Sequence, residues 1–94
     1  VDCITLWISN LLMAMQISSV DEIIDPINRL THSLKTAQCP VILVSNEVGT
    51  GIVPENQLAR LFRDITGMVN QKLAAYTDQV VWMVAGIPVI VKPK

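Results

Sequence analysis

Side chains that could bind a phosphorylated ligand lie together in the middle of this 94-residue chain. Asn46 and Glu47 directly follow an apolar run, and Gly49 and Gly51 come next. A carboxylate at this place can reach a ligand or Mg²⁺, and glycine permits backbone angles and close approaches that side chains would block. The pattern predicts a ligand-binding loop. It leaves open the alternative that Asn46 bonds its own backbone and the glycines only form turns.

Two arginines follow on the next predicted helix. Arg60 and Arg63 can each make bidentate contacts to phosphate, and their spacing of three places them near one another on a helix surface. The alternatives are solvated surface arginines, a pair between Arg60 and Asp64, or a structural pair of Arg63 with Asp64 across protomers.

Asp2 is the candidate metal ligand. It stands after a short apolar start and before a helical run, where a carboxylate holds Mg²⁺ in phosphate-loop enzymes. The alternative is an N-cap of the following helix. His32 is the only histidine, and it is predicted to lie on the surface.

The elements that would position these residues are a strand and a long helix. Residues 41–44 form a short apolar run, as expected of a parallel strand covered on both faces. The helix is predicted from Pro54, which suits a first turn, to Thr77. Gly67 in its interior is interpreted as permitting close packing. The apolar side of this helix is predicted to comprise Leu58, Leu61, Phe62, Ile65, Val69 and Leu73.

Further elements are predicted on both sides of this pair. A strand remnant at 1–3 precedes a largely buried helix at 4–16, and Ser19 and Glu22 have capping-box spacing. Pro26 predicts a kink or two short helices, with a stripe that packs on the sheet. Strands at 80–84 and 89–91 are predicted to be antiparallel, with a reversal at 86–88. The stripe consists of Ile27, Leu30 and Leu34.

Two long motifs carry a family resemblance. NEVGTGIVPEN at 46–56 and LARLFRDITGMVNQKLA at 58–74 closely resemble the bifunctional adenosylcobinamide kinase/adenosylcobinamide-phosphate guanylyltransferases of cobalamin biosynthesis. Residues 1–12 resemble the middle of those enzymes, and residues 80–92 resemble their last strands. Met68 is a departure, because the family more often carries a basic residue there.

The resemblance implies an α/β fold that forms the C-terminal part of a three-layer P-loop NTPase-like domain, with a mostly parallel sheet ending in an antiparallel hairpin. It implies phosphorylation of adenosylcobinamide with ATP or GTP, followed by transfer of GMP from GTP to that phosphate. The resemblance further implies Mg²⁺, nucleotide and corrinoid substrates, and a homo-oligomer, for which the family suggests a trimer. Asp2 falls on the family's acidic position after a strand.

Two features of that family have no counterpart in these 94 residues. Gly49-Thr50-Gly51 is followed by no lysine, so it is not the G-x-x-x-x-G-K-[ST] loop. The histidine that carries the guanylyl group precedes the matched region. We therefore expect this chain alone to be inactive. The alternatives are a non-catalytic interaction or oligomerisation domain and one half of a split enzyme.

Composition limits the remaining possibilities. The chain is 51% hydrophobic and 16% charged, with a net charge of −1, which fits one small domain and gives no basic footprint for nucleic acid. The apolar stretches fall short of the roughly 20 residues that span a bilayer. Cys3 and Cys39 are too few for a disulfide scaffold, so we expect reduced thiols and a cytoplasmic location.

Overall fold

The computed structural model describes residues 3–47 and 56–93. Within these ranges helix α1 spans Ile4–Ala14, a 3₁₀ turn spans Val20–Ile23, and helix α2 spans Ile24–Thr36. Helix α3 spans Gln57–Tyr76, and strands β1, Val80–Val84, and β2, Ile87–Lys92, follow it. The predictions for Asp2, Gly49 and Gly51 fall outside the described residues.

The core lies where the three helices meet. Ile8 of α1, Ile27 of α2 and Ile65 of α3 are fully buried. The α2 stripe therefore packs against helices, and the prediction that it packs on a sheet was wrong. The buried apolar side chains are Ile4, Ile8, Ile17, Ile23, Ile27, Ile65, Val69 and Leu73.

Helix α3 begins at an asparagine cap. The Asn56 side-chain oxygen accepts hydrogen bonds from the N–H groups of Leu58 at 2.8 Å and Ala59 at 3.1 Å. These bonds satisfy two donors that a helix start leaves unpaired, and the described helix begins at Gln57; Pro54, where its start was predicted, lies outside the described residues. Leu58, predicted on the buried side, is 64% exposed because the first turn extends beyond the core.

Gly67 does not have the role predicted for it. A Cβ added at Gly67 would meet no heavy atom within 4 Å among the described residues. Close packing against a neighbour is therefore not what this glycine provides within the described part of the chain.

The predicted break near Pro26 is confirmed. The 3₁₀ turn gives way to α2 at Ile24, and Pro26 falls in the first turn of α2, where no intrahelical N–H bond is lost. The predicted capping box is not formed, because the Glu22 carboxylate accepts from the hydroxyl groups of Ser18 at 3.0 Å and Ser19 at 3.5 Å, and its backbone donor is the Ser18 N–H at 3.4 Å rather than that of Ser19. The Ser19 side chain itself makes no cap bond to the backbone.

The antiparallel hairpin is confirmed, with its turn one residue earlier than predicted. Ala85 and Gly86 form the two-residue turn with φ angles of 51° and 77°, as a type I′ turn requires. Pro88 lies within the ladder, opposite Met83. The hairpin is joined to α3 by the Lys92 ammonium group, which donates to the carbonyl groups of Ala74 at 3.0 Å and Ala75 at 3.3 Å.

The predicted parallel strand at 41–44 is not seen. Only Val44 forms a bridge, and Ile42 is 77% exposed. A parallel strand needs neighbours on its edges and helices on its faces. The only sheet among the described residues is the β1–β2 hairpin, which does not pair with this segment.

Much of the apolar surface is exposed. Helix α1, predicted to be largely buried, leaves Leu6 and Met13 exposed and ends at Ala14 rather than Gln16. Nearly every side chain of β1 and β2 is exposed as well. None of the described helices is long and apolar enough to cross a membrane.

Candidate functional site

The segment 44–47, which contains Asn46 and Glu47, lies beside the start of α1. The Ile4 N–H donates to the Val44 carbonyl at 2.7 Å, and the Asn46 N–H donates to the Thr5 hydroxyl oxygen at 3.0 Å. The N-cap residue Cys3 makes no side-chain cap bond. The Val44 carbonyl therefore satisfies one of the N–H groups that the start of α1 leaves unpaired.

Asn70 of α3 holds the same segment from another side. Its Nδ2 donates to the Asn46 carbonyl at 2.9 Å, and its Oδ1 accepts from the Ser45 hydroxyl at 2.6 Å. The Asn70 amide thus bonds two consecutive residues, Ser45 through its oxygen and Asn46 through its nitrogen. Four hydrogen bonds to two helices fix a segment that has no strand partner on the hairpin.

Asn46 is held entirely by its backbone in this arrangement. Its N–H is bonded to Thr5 and its carbonyl to Asn70, while the residue itself is exposed. Within the described ranges no hydrogen bond engages its side-chain amide, so the predicted alternative, in which that amide anchors the loop, is not what holds this segment. Glu47 follows immediately and is exposed too.

The two arginines lie away from this segment. Arg63 forms a salt bridge with Asp64, its neighbour on α3, at 3.0 Å. This pair joins sequence neighbours within one chain, and Arg60, the alternative partner of Asp64, forms no salt bridge among the described residues. Arg63 precedes Asn70 by seven residues, and at about 1.5 Å rise per residue the two lie about 10 Å apart along the helix axis. Arg60, one turn earlier, is exposed.

The predicted metal ligand and the glycines cannot be placed beside Asn46, because Asp2, Gly49 and Gly51 lie outside the described residues. Among residues 3–47 and 56–93, no group of three or more His, Cys, Asp or Glu side chains is placed to hold a metal ion. Mg²⁺ commonly takes only one or two carboxylates together with substrate phosphates, so Glu47 suits such a site chemically.

Sequence analysis missed Thr5, Ser45 and Asn70. The signal for Asn70 was present, because asparagine is a weak helix former and here stands in the middle of α3, beside the buried Val69. Nothing marked Thr5, since its role depends on a contact with a residue 41 positions later.

The histidine and the aromatic side chains lie away from segment 44–47. His32 is exposed on α2, as predicted, in a shallow groove formed by one face of that helix. The Lys35 ammonium group lies 4.7 Å from the ring centre of Tyr76, which joins the ends of α2 and α3. Trp7 packs against the core, whereas Trp82 is about half exposed on the hairpin.

Comparison with known proteins extends this description. Residues 1–91 match the model of a family described as cobinamide kinase / cobinamide phosphate guanyltransferase. The bifunctional adenosylcobalamin biosynthesis protein CobU of Salmonella typhimurium is 46% identical over an alignment that covers 97% of this chain and 56% of that protein. The protein of the same name from Escherichia coli is 56% identical over 70% of this chain and 39% of its own length.

A third relative is more distant. The bifunctional adenosylcobalamin biosynthesis protein CobP of Pseudomonas aeruginosa is 37% identical over 98% of this chain and 51% of its own length. The chain thus spans about half the length of the curated relatives that it matches from end to end. Similarity extends over nearly all of its residues and includes both segment 44–47 and the helices that hold it.

Proposed function

Since the chain belongs to the cobinamide kinase / cobinamide phosphate guanyltransferase family, we propose that it acts in the biosynthesis of adenosylcobalamin. The observation that carries this proposal is the match of residues 1–91 to that family. In the proposal, these 94 residues form the C-terminal part of a bifunctional enzyme.

Two group transfers make up the proposed activity. In the first, the aminopropanol hydroxyl of adenosylcobinamide attacks the γ-phosphorus of ATP or GTP, loses its proton, and a nucleoside diphosphate leaves. In the second, GMP passes from GTP to the new phosphate, by way of the family's histidine, and pyrophosphate leaves. Both transfers place growing negative charge on phosphate oxygens, which positioned donors and cations stabilise.

Segment 44–47 is the proposed contact with nucleotide or corrinoid phosphate. Its support is geometric, because Asn46 and Glu47 are exposed while the backbone of Asn46 is bonded to both α1 and α3. Arg60 and Arg63 have less support as partners in the same site. The Arg63 guanidinium is already paired with Asp64, and a ligand that reached from Asn46 to it would extend about 10 Å along α3.

Mg²⁺ is part of the proposal through Asp2 and Glu47. Both are carboxylates, the ligand class that Mg²⁺ takes in combination with substrate phosphates. The bound ion would neutralise phosphate charge during transfer. Asp2 itself lies outside the described residues.

The finer fold and assembly are proposed as well. We propose a P-loop NTPase-like domain in which residues 41–44 are a strand of a mostly parallel sheet. The exposure of Ile42 and of the apolar hairpin favours further strands and helices against them, because a lone hairpin is marginal in water. A homo-oligomer, by family a trimer, and a cytoplasmic location complete the proposal.

The same exposed surface supports a second candidate, an interaction or oligomerisation domain without chemistry. Val81, Trp82, Ile87 and Ile90 are all exposed apolar side chains on the hairpin. Val81 and Ile90 lie on one face of the hairpin and Trp82 and Ile87 on the other, and exposed apolar surface of this kind marks a place where other polypeptide packs. This candidate predicts assembly without turnover.

Turnover by the natural gene product that contains these residues separates the two candidates. The protein would be supplied with adenosylcobinamide, GTP and Mg²⁺, and the products identified by mass. We expect the phosphorylated corrinoid followed by its GMP-linked derivative, with pyrophosphate released. Assembly with neither product would favour the interaction domain.

A further inference from the structure

We propose that Thr5 and Asn70 are positioning residues that hold Asn46 by its backbone and leave its side-chain amide to bind the nucleotide. This inference rests on the proposed function and deepens it. It assigns the ligand contact to one side chain and the support to two residues on separate helices.

The backbone and the side chain of Asn46 are engaged differently. Its N–H donates to the Thr5 hydroxyl oxygen at 3.0 Å, and its carbonyl accepts from Asn70 Nδ2 at 2.9 Å. Both of its backbone polar groups are therefore satisfied by side chains. The side-chain amide, with two donor hydrogens and one acceptor oxygen, is engaged by no hydrogen bond in the described part of the chain.

Support of this kind is unusual for an exposed segment. Exposed loops normally satisfy their backbone groups with water and tolerate variation. Here residues separated by 24 and 41 positions are used to fix one peptide segment. Asn70 also accepts from the Ser45 hydroxyl, which fixes the orientation of its amide. Such support is what a binding side chain needs in order to be held in one place.

The chemistry of an amide suits a nucleotide. A nucleotide offers acceptor oxygens on its phosphates and both donors and acceptors on its ribose and base. An amide that is fixed before binding loses little freedom on binding, so its hydrogen bonds contribute more fully.

The test is a double-mutant cycle in the natural gene product, with GTP turnover and GTP binding by calorimetry as readouts. Thr5→Val and Asn70→Ala should each lower kcat/KM by about tenfold or more, in the range seen when support for a ligating group is lost. Thr5→Ser, which keeps the hydroxyl, should restore the value. Gln71→Ala is the matched control, because it removes an amide from an exposed neighbour on the same helix.

The decisive step is the combination with Asn46→Ala. If Thr5 and Asn70 act through Asn46, their substitutions should cause no further loss of GTP binding or kcat/KM in the Asn46→Ala background. The inference would be overturned if the losses were fully additive or if they followed the melting temperature alone. It would also be overturned if Thr5→Val and Asn70→Ala kept activity within twofold of the unsubstituted protein. Failure of the unsubstituted protein to bind GTP or turn it over would instead overturn the proposed function, and this inference with it.

Discussion

At the residue scale, the candidate site depends on which polar groups are satisfied and which are left for a ligand. Asn46 and Glu47 could be selected from the sequence, because they follow an apolar run and precede two glycines. Of their two supports, Asn70 gave only the weak signal of an asparagine in the middle of a helix, and Thr5 gave none, since its role appears only when the fold brings it to Asn46. A contact between residues far apart in sequence leaves no local pattern.

Thr66 provides a test of the packing at the same scale. It is fully buried in α3, and its hydroxyl oxygen has no hydrogen-bond partner among the described residues. An unsatisfied buried polar group costs about 1 to 3 kcal/mol. Thr66→Val keeps the shape and removes that cost, so we expect the free energy of unfolding to rise by about 1 kcal/mol.

Thr31 is the matched control. It is also buried, but its hydroxyl donates to the Asn28 carbonyl at 3.0 Å. Chemical denaturation of both variants should show a rise for Thr66→Val and a loss of about 1 kcal/mol for Thr31→Val. Equal losses in the two variants would contradict the description of Thr66.

At the element scale, the strongest local signals were reliable. The 3.6-residue period identified α3, the proline identified the break before α2, and the apolar run with a glycine identified the hairpin. The start of α3 is set by the Asn56 cap, a local detail that the 3.6-residue period does not report. The 41–44 strand is not seen within the described residues and stays a prediction, because an apolar run reports burial but cannot supply the neighbours that make it a strand.

Ala85 gives the prediction that belongs to this scale. Its φ of 51° lies in the left-handed region, where a Cβ costs about 1 to 2 kcal/mol. Type I′ turns prefer asparagine or glycine at this position. Ala85→Asn should therefore raise the free energy of unfolding by about 1 kcal/mol.

Ala59, which lies in helix α3, provides the contrast for the turn residue Ala85. Ala85→Gly should be neutral or stabilising, whereas Ala59→Gly in the first turn of α3 should cost up to about 1 kcal/mol. Melting of the three variants measures the difference. Destabilisation by both substitutions at Ala85 would show that the turn differs from the one described.

At the scale of the whole molecule, composition anticipated the main structural feature. A chain that is 51% hydrophobic has more apolar side chains than its three helices bury together, and exposed ones lie on the hairpin and on residues 41–44. The three helices share a core, while the side chains of the β1–β2 hairpin are mostly exposed in the described part of the chain. This division fits a chain that matches about half the length of its relatives.

The most direct measurement compares the natural gene product with the 94-residue polypeptide alone, in the conversion of adenosylcobinamide and GTP to the GMP-linked product. The account predicts turnover by the former and none by the latter, because the 94 residues contain no G-x-x-x-x-G-K-[ST] loop. Absence of product with the natural protein would contradict the proposed activity. Robust turnover by the pure 94-residue polypeptide would contradict the claim that residues outside these 94 bind the triphosphate.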